Sequence, residues 1–373
     1  MSIKIGTIQG INIKLNYSWF TIFVLITWSL ANGYLPSQYP DKSSNFYWLI
    51  GGASALSLYI SILIHELAHS TIAIRRGLDI KNITLHFFGG VSQINEESSD
   101  PKTEAYMAAV GPLTSIVIGG VFLLIDYIIG ASVPDTVEAI LRYGGYVNVG
   151  LALFNMIPAF PMDGGRVLRA IIWNRNKNLV KSTRIASNVS NVISIIFMLL
   201  GFYSMFTFGT LDGLWLVFIG LFINSASKMG LSQTIISEAL GEKTVGSIMT
   251  REVRTVKPEL SIQEVIDEWF SFYKHQGYPV MKNDNIIGII TIEDVRNVDK
   301  NNRDSITVRD VMRSQEELVT VSPDDKAADA LMKMASHNVG RLPVIENGRL
   351  VGIITRSDIN KTIQLSTEFA PIS

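Results

Sequence analysis

The sequence contains no cysteine, which excludes disulfides, thiol catalysis and thiolate metal sites. Charge is scarce: 17% of the 373 residues are charged, and they nearly cancel to a net −1. With no global basic field, nucleic acid is not expected as a partner. The first twenty residues lack a small-residue cleavage site after an apolar run, so no cleavable signal is expected. What is abundant is apolar side chain, 47% of residues, at a mean hydropathy of +0.28. That balance is apolar for a soluble protein, and it is unevenly spread. Long apolar runs fill residues 15–231, whereas 244–360 read as an ordinary soluble domain. The expected division is a membrane domain over 1–232, a linker over 233–243, and two small domains over 244–303 and 304–373.

A spanning helix needs about 20 mainly apolar residues. Six stretches qualify: Leu15–Ala31, Trp48–Ile74, Ala105–Ile129, Ile140–Ile157, Ala186–Phe206 and Gly213–Leu231, the fourth being interrupted by Gly144, Gly145 and Gly150. Arg75 and Arg76 follow the second stretch, and Arg166, Arg169, Arg175, Lys177, Lys181 and Arg184 crowd the connection after the fourth. Residues 130–139 hold Asp135 and Glu138 and no base. The positive-inside rule then places the N-terminus, the basic connections and the C-terminal domain in the cytoplasm, with the cell membrane as the expected location. Between the second and third stretches, Ile83–Phe88 and Val91–Ile94 flank Gly89-Gly90 and read as a β-hairpin, apolar enough to re-enter the membrane.

From Trp48 to Ile74 the only acidic or basic side chains are His65, Glu66 and His69. They form an H-E-x-x-H motif, whose imidazoles at i and i+4 share one helix face and can hold one metal ion. Glu66 lies about 100° round from His65, within reach of a proton on an attacking water. Zinc suits nitrogen and oxygen ligands of this kind. Ionisable residues at membrane depth are costly, which makes them functional by default; the bland alternative is a polar network between helices. On the cytoplasmic topology the motif lies 6 to 10 residues before Arg75, roughly 9–15 Å below the membrane edge.

A catalytic zinc wants a third protein ligand and an open position. Neither His86, His275 nor His337 is well placed. Asp163 is a candidate, after Pro158 and Pro161 and before Gly164-Gly165, although an aspartate there also serves to cap a helix starting near Arg166. Asn155 could donate a hydrogen bond to a developing oxyanion, or equally bond a neighbouring helix. His86 reads as structural or substrate-facing.

H-E-x-x-H in a second span followed by N-x-x-P-x-x-P-x-D-G-G resembles the site-2 protease family of intramembrane zinc metalloproteases, over the whole membrane half. The resemblance implies His65, His69 and Asp163 as ligands of one Zn2+ ion, Glu66 as the catalytic base and Asn155 as a stabiliser of the tetrahedral intermediate. It implies a membrane-spanning protein as substrate, and a re-entrant hairpin that receives the unwound substrate by strand addition. Met162 stands where the family usually has leucine, an apolar exchange that leaves Asp163 untouched.

The soluble half contains a repeat. Residues 245–250 (VGSIMT) match 308–313 (VRDVMR), and 277–295 match 340–359, with Pro279, Thr291 and Asp294 each 64 residues before Pro343, Thr355 and Asp358. Two copies of this size indicate a small domain that packs on its duplicate. The pattern resembles a tandem pair of CBS domains. That resemblance implies contacts from Thr291, Asp294, Thr355 and Asp358 to an adenine nucleotide such as ATP, although threonine and aspartate at a strand-to-helix junction are also ordinary caps. Pairs of this kind also serve as homodimer surfaces.

The expected fold is therefore a multi-span α-helical membrane domain of about six helices with a re-entrant β-hairpin, followed by a soluble α/β tandem CBS domain. The leading function is a zinc metalloendopeptidase acting in the bilayer, under regulation by the CBS pair. A CBS-regulated channel or transporter is the alternative, but it would need polar residues on several spans. The apolar spans show little of that beyond the metal motif and Asp126, near the outer end of the third. A silent scaffold is the third reading, and it would have no use for Glu66.

Overall fold

Helix α1 (Ser18–Gln38) carries one π turn over Leu30–Tyr34. It is followed by α2 (Ser44–Arg75), whose N-cap Ser43 accepts from the Phe46 amide at 3.3 Å. A computed structural model describes residues 2–368 except 79, 87, 88, 95–99, 210–212 and 274. The chain divides into two compact units between Leu231 and Ser232.

In the first unit, α3 (Pro101–Ile129) starts at a capping Asp100, with Pro101 at the position where a missing amide costs nothing. Then come α4 (Asp135–Asn155), α5 (Asp163–Asn176), α6 (Leu179–Phe208) and α7 (Gly213–Leu240). Among the described residues, five helices (α1, α2, α3, α6 and α7) are long and apolar enough to cross a membrane. The fourth expected stretch is helical within α4 only as far as Asn155, and α4 is not among those five.

The helices are turned inside out relative to a soluble bundle. On α3 the buried residues are Thr103, Glu104, Met107, Ala108, Gly111, Pro112, Ser115 and Gly119, while Leu113, Ile116, Val117, Val121 and Leu124 are exposed. On α6, Ser182, Ser187, Ser190, Ser194 and Gly201 face inward while Val192, Ile195, Ile196, Leu199 and Leu200 face outward. Water would not tolerate so much exposed apolar surface. Lipid does, and small residues let helices approach closely there.

The N-terminal residues add an element that hydropathy alone did not show. Ile11, Ile13 and Leu15 alternate with Asn12, Lys14 and Asn16, the period of a strand, so the first apolar stretch splits into strand and helix. Strands β1 (Ser2–Ile8), β2 (Ile11–Asn16), β3 (Ile80–His86) and β4 (Gly89–Ile94) form one sheet in that order, with β2 and β3 parallel and the other pairs antiparallel. Gly89 and Gly90 belong to strand β4, paired with His86 and Leu85, and do not form the turn. Phe87 and Phe88 lie outside the described residues. Ile11, Ile13, Ile80 and Ile83 pack with Ala73 of α2 and Met107 of α3, which ties the sheet to both helices.

In the second unit the copies repeat in detail. Strands β5 (Gly277–Lys282) and β6 (Asn285–Thr291) match β8 (Arg341–Glu346) and β9 (Arg349–Thr355), with the register shift after Val280 in one and Val344 in the other. Each hairpin turns through left-handed residues, Asn283-Asp284 and Asn347-Gly348, as a tight turn between strands requires. The short strand β7 (Arg313–Ser314) pairs with β6. Helix α8 (Ile292–Arg296) follows β6, α9 (Ala327–Ser336) precedes β8 and α10 (Arg356–Glu368) follows β9.

The linear boundary expected between the copies does not coincide with the cores. Val308 is buried with Val256, Tyr278 and Ile290 of the first copy. Val245 is buried with Leu342, Val344 and Ile354 of the second. Each repeat thus lends its opening segment to the other copy.

Candidate metal centre and candidate nucleotide cleft

Helical spacing puts His65 and His69 one turn apart on α2, both buried, with ring centroids 4.8 Å apart. Asp163 reaches them from α5. Its Oδ2 is 3.1 Å from Nε2 of His65 and 3.3 Å from Nε2 of His69. Helix α5 begins at Asp163 with Met162 at the N-cap and no side-chain cap, so the carboxylate is turned to the histidines and not to its own helix. Gly164 and Gly165 allow this, because a Cβ on either would stand 2.3 Å from the Met156 carbonyl or 2.1 Å from the Phe160 amide. The loop before Asp163 therefore lies directly on the first turn of α5.

Helix α3 sets the far side of both rings. Nδ1 of His69 is 2.5 Å from the Met107 carbonyl, and Nδ1 of His65 is 2.8 Å from Ser115 Oγ. A carbonyl only accepts, so Nδ1 of His69 carries a proton, and in the neutral ring Nε2 keeps its lone pair. In that form the lone pair faces a carboxylate oxygen at 3.3 Å, two acceptors that a proton or a metal ion between them would reconcile. A tetrahedral zinc at ordinary Zn–N and Zn–O lengths separates its ligand atoms by about 3.4 Å. The three ligand atoms here lie within 4.8 Å of one another, so the donor set fits one such ion. Gly111, between Met107 and Ser115 on α3, lies against the rings: an added Cβ would be 2.2 Å from His69 Nε2 and 2.6 Å from His65 Nε2.

A cavity of about 1190 Å³ opens beside the cluster. Half-buried Glu66 lines it, as do Asn155, His86 and Arg166. Asn155 closes α4, and its Nδ2 donates to the Leu151 carbonyl of the same helix at 2.9 Å. His86, at the end of β3, faces the cavity but is not in the metal-ligating cluster. Sequence reading missed Met107, Gly111 and Ser115. Their spacing of four along α3 was the available signal, hidden among apolar neighbours.

In the second unit Thr291 and Asp294 bond each other. The Thr291 amide and Oγ1 both donate to Asp294 Oδ2, at 2.9 and 2.6 Å. Thr355 and Asp358 do the same at 2.9 and 2.7 Å. Both are helix caps first. Thr291 also lines a cleft of about 500 Å³ with Arg296, Arg313 and Arg341, whereas Asp294, Thr355 and Asp358 do not line it. Arg313 lies 3.4 Å from Asp294 Oδ1. Burial lowers the pKa of Arg341 from its usual range, and its Nη1 donates to the Gly277 carbonyl at 2.8 Å.

Comparison with known proteins bears on both units. Residues 53–135 and 125–201 match peptidase family M50, and residues 245–301 and 308–364 each match the CBS domain. The chain is 30% identical to Rip3 of Mycobacterium tuberculosis, over 98% of this chain and 93% of that one. It is 31% identical to zinc metalloprotease MJ0392 of Methanocaldococcus jannaschii, over 98% and 96%. A solved site-2 protease from the same archaeon is 30% identical, with a TM-score of 0.43, covering 61% of this chain and 94% of that one. Apolar helices and a catalytic family together define a membrane-type zinc metalloendopeptidase. The chain belongs to peptidase family M50, the site-2 protease family, and carries a tandem CBS pair.

Proposed function

We propose that this protein cuts peptide bonds of membrane-spanning proteins inside the bilayer, near its cytoplasmic face, with His65, His69 and Asp163 holding one zinc ion. The observation that carries the reading is the convergence of those three ligand atoms within 4.8 Å, two of them on α2, which exposes Leu49, Leu56, Ile60 and Ile64. When bound, the metal would supply Lewis acidity to the scissile carbonyl and to the attacking water. Glu66, beside it in the same cavity, takes the proton of that water and returns it to the leaving amine. Asn155 swings its amide from the Leu151 carbonyl to the developing oxyanion. The His69–Met107 and His65–Ser115 contacts keep both Nε2 atoms aimed at the metal.

A helical substrate hides its carbonyls in its own hydrogen bonds and must unwind to be cut. Strand β4 is an edge of the sheet, which suits it to accept the unwound segment as an added strand. His86, on the paired strand, faces that segment within the cavity. Arg75, Arg76 and the basic connection support a topology of six spans in the cell membrane, with the N-terminus and CBS pair cytoplasmic.

The CBS pair acts as a regulator that takes an adenine nucleotide. Support comes from the cleft in which Thr291 meets Arg296, Arg313 and Arg341, cations suited to phosphate. Thr291 and Asp294 would exchange part of their mutual bond for the ligand. Thr355 and Asp358 form the matching cap in the second copy.

The test is cleavage of a single-span protein reconstituted with the enzyme in vesicles, with the cut bond mapped by mass spectrometry. A cut within the apolar span is expected. Cuts confined to the soluble flanks would overturn the reading.

A further inference from the structure

A glutamate and an arginine of the membrane unit belong neither to the metal-ligating cluster nor to the proton transfers, yet both are buried: Glu104 on α3 at 1% exposed and Arg169 on α5 at 7% exposed. Arg169 donates to Glu104 Oε1 through Nε at 2.7 Å and also through Nη2. Its guanidinium lies 4.8 Å over the ring of Phe160, in the loop that leads to Asp163. Arg166 Nε is 3.8 Å from the same carboxylate oxygen. Stripping water from two charges costs more than packing apolar groups in their place, so a buried pair is a poor device for stability alone. Two nitrogens of one rigid guanidinium, both donating to the single oxygen Oε1, instead fix direction.

The covalent neighbours of this pair show what it directs. Glu104 stands one helical turn before Met107, whose carbonyl orients His69. Arg169 stands six residues after Asp163, and Asp163 Oδ2 meets His69 Nε2 at 3.3 Å. A closed ring results, running Asp163, α5, Arg169, Glu104, α3, Met107, His69 and back to Asp163. Its two helical arms are about 9 Å and 4.5 Å long and nearly rigid. Phe160, held against Arg169, ties the loop before Asp163 to the same ring.

We infer that the Glu104–Arg169 ion pair, stacked on Phe160, is the positioning device that sets Asp163 against His69, so that metal affinity depends on two side chains outside the ligand set. The inference rests on the reading that His65, His69 and Asp163 hold zinc. Arg169→Lys keeps the charge but gives up the planar fork, Glu104→Gln keeps the shape but gives up the charge, and Phe160→Leu removes the stack.

The experiment measures zinc affinity of the detergent-solubilised full chain by chelator competition, with the absorption spectrum of the cobalt-substituted protein and the apo melting temperature alongside. Arg169→Lys and Glu104→Gln are expected to bind zinc about 10–100-fold more weakly, as for other outer-shell partners, and to alter the cobalt spectrum. Phe160→Leu should move both readings in the same direction by less. Ser187→Ala removes a buried hydrogen bond to Ser227 on α7 and controls for general loss of stability. It should lower melting and leave zinc affinity unchanged. If the Glu104 and Arg169 variants melt lower but bind zinc as wild type does, the pair only packs helices and the inference fails. If wild type itself binds no zinc, the underlying metal reading fails instead.

Discussion

Gly111 on α3 lies so close to His69 on α2 that a single added methyl would stand 2.2 Å from the ring's Nε2. The same methyl would be 2.6 Å from His65 Nε2, so the backbone of α3 acts as the wall against which both rings are set. Real Cβ atoms do not come that close, and the crowded atoms are the metal-facing ones. Gly111→Ala should therefore expel the metal, because the rings must turn away. Zinc content measured on purified protein is expected to fall to near zero, with activity down by more than about 100-fold. A variant retaining one zinc per chain would show that α3 yields easily at this point.

Ser115 offers a milder version of the same experiment. Its Oγ is 2.8 Å from His65 Nδ1, and Ser115→Ala leaves that buried nitrogen without its partner. Zinc affinity should drop about 10-fold or more, whereas Ser194→Ala, on α6 and outside the cluster, should leave it unchanged. Chelator competition distinguishes the two.

Asn155 separates transition-state from ground-state effects. If its amide serves the oxyanion, Asn155→Ala lowers kcat by about 10²–10³ with little change in KM. If the amide only completes its bond to Leu151, both kinetic constants stay near wild type and only melting shifts.

Arg341 tests the second unit. It equals Gly277 in the repeat, 64 residues earlier, and it fills the space left by the missing side chain. Arg341→Ala should weaken adenine-nucleotide binding by at least about 10-fold, since a charge-assisted contact is worth ~1.5–3 kcal/mol. Asp358→Asn, in the cap that does not line the cleft, should weaken it far less. Calorimetry with ATP and AMP on the full-length protein reads both.

How much of this was legible in the sequence follows from what each feature depends on. The apolar runs and the H-E-x-x-H spacing are local properties, and the helices and the shared face of His65 and His69 follow from them. The CBS repeat was visible because Pro279, Thr291 and Asp294 recur at one interval. Strand β2 was hidden because Leu15 continues into an apolar helix, and the window that finds spans averages over the alternation at 11–16. The exchange of opening segments between copies was hidden too, since Val308 pairs with Ile290 through a contact that no repeat boundary marks. Met107 acts through its carbonyl and Gly111 through a missing side chain, so residue chemistry gave no sign of either. Asp163 stood between a cap and a ligand in the sequence, and the start of α5 at that residue turns its carboxylate to the histidines.

The most direct test of the central claim compares wild type with Glu66→Gln, measuring bound zinc and cleavage of a single-span substrate on the same preparations. Glu66 lines the cavity without belonging to the cluster of His65, His69 and Asp163. Both proteins should therefore hold about one zinc per chain while only wild type cleaves. Comparable cleavage by the zinc-loaded Glu66→Gln protein would contradict the proposed role of that glutamate and the mechanism built on it.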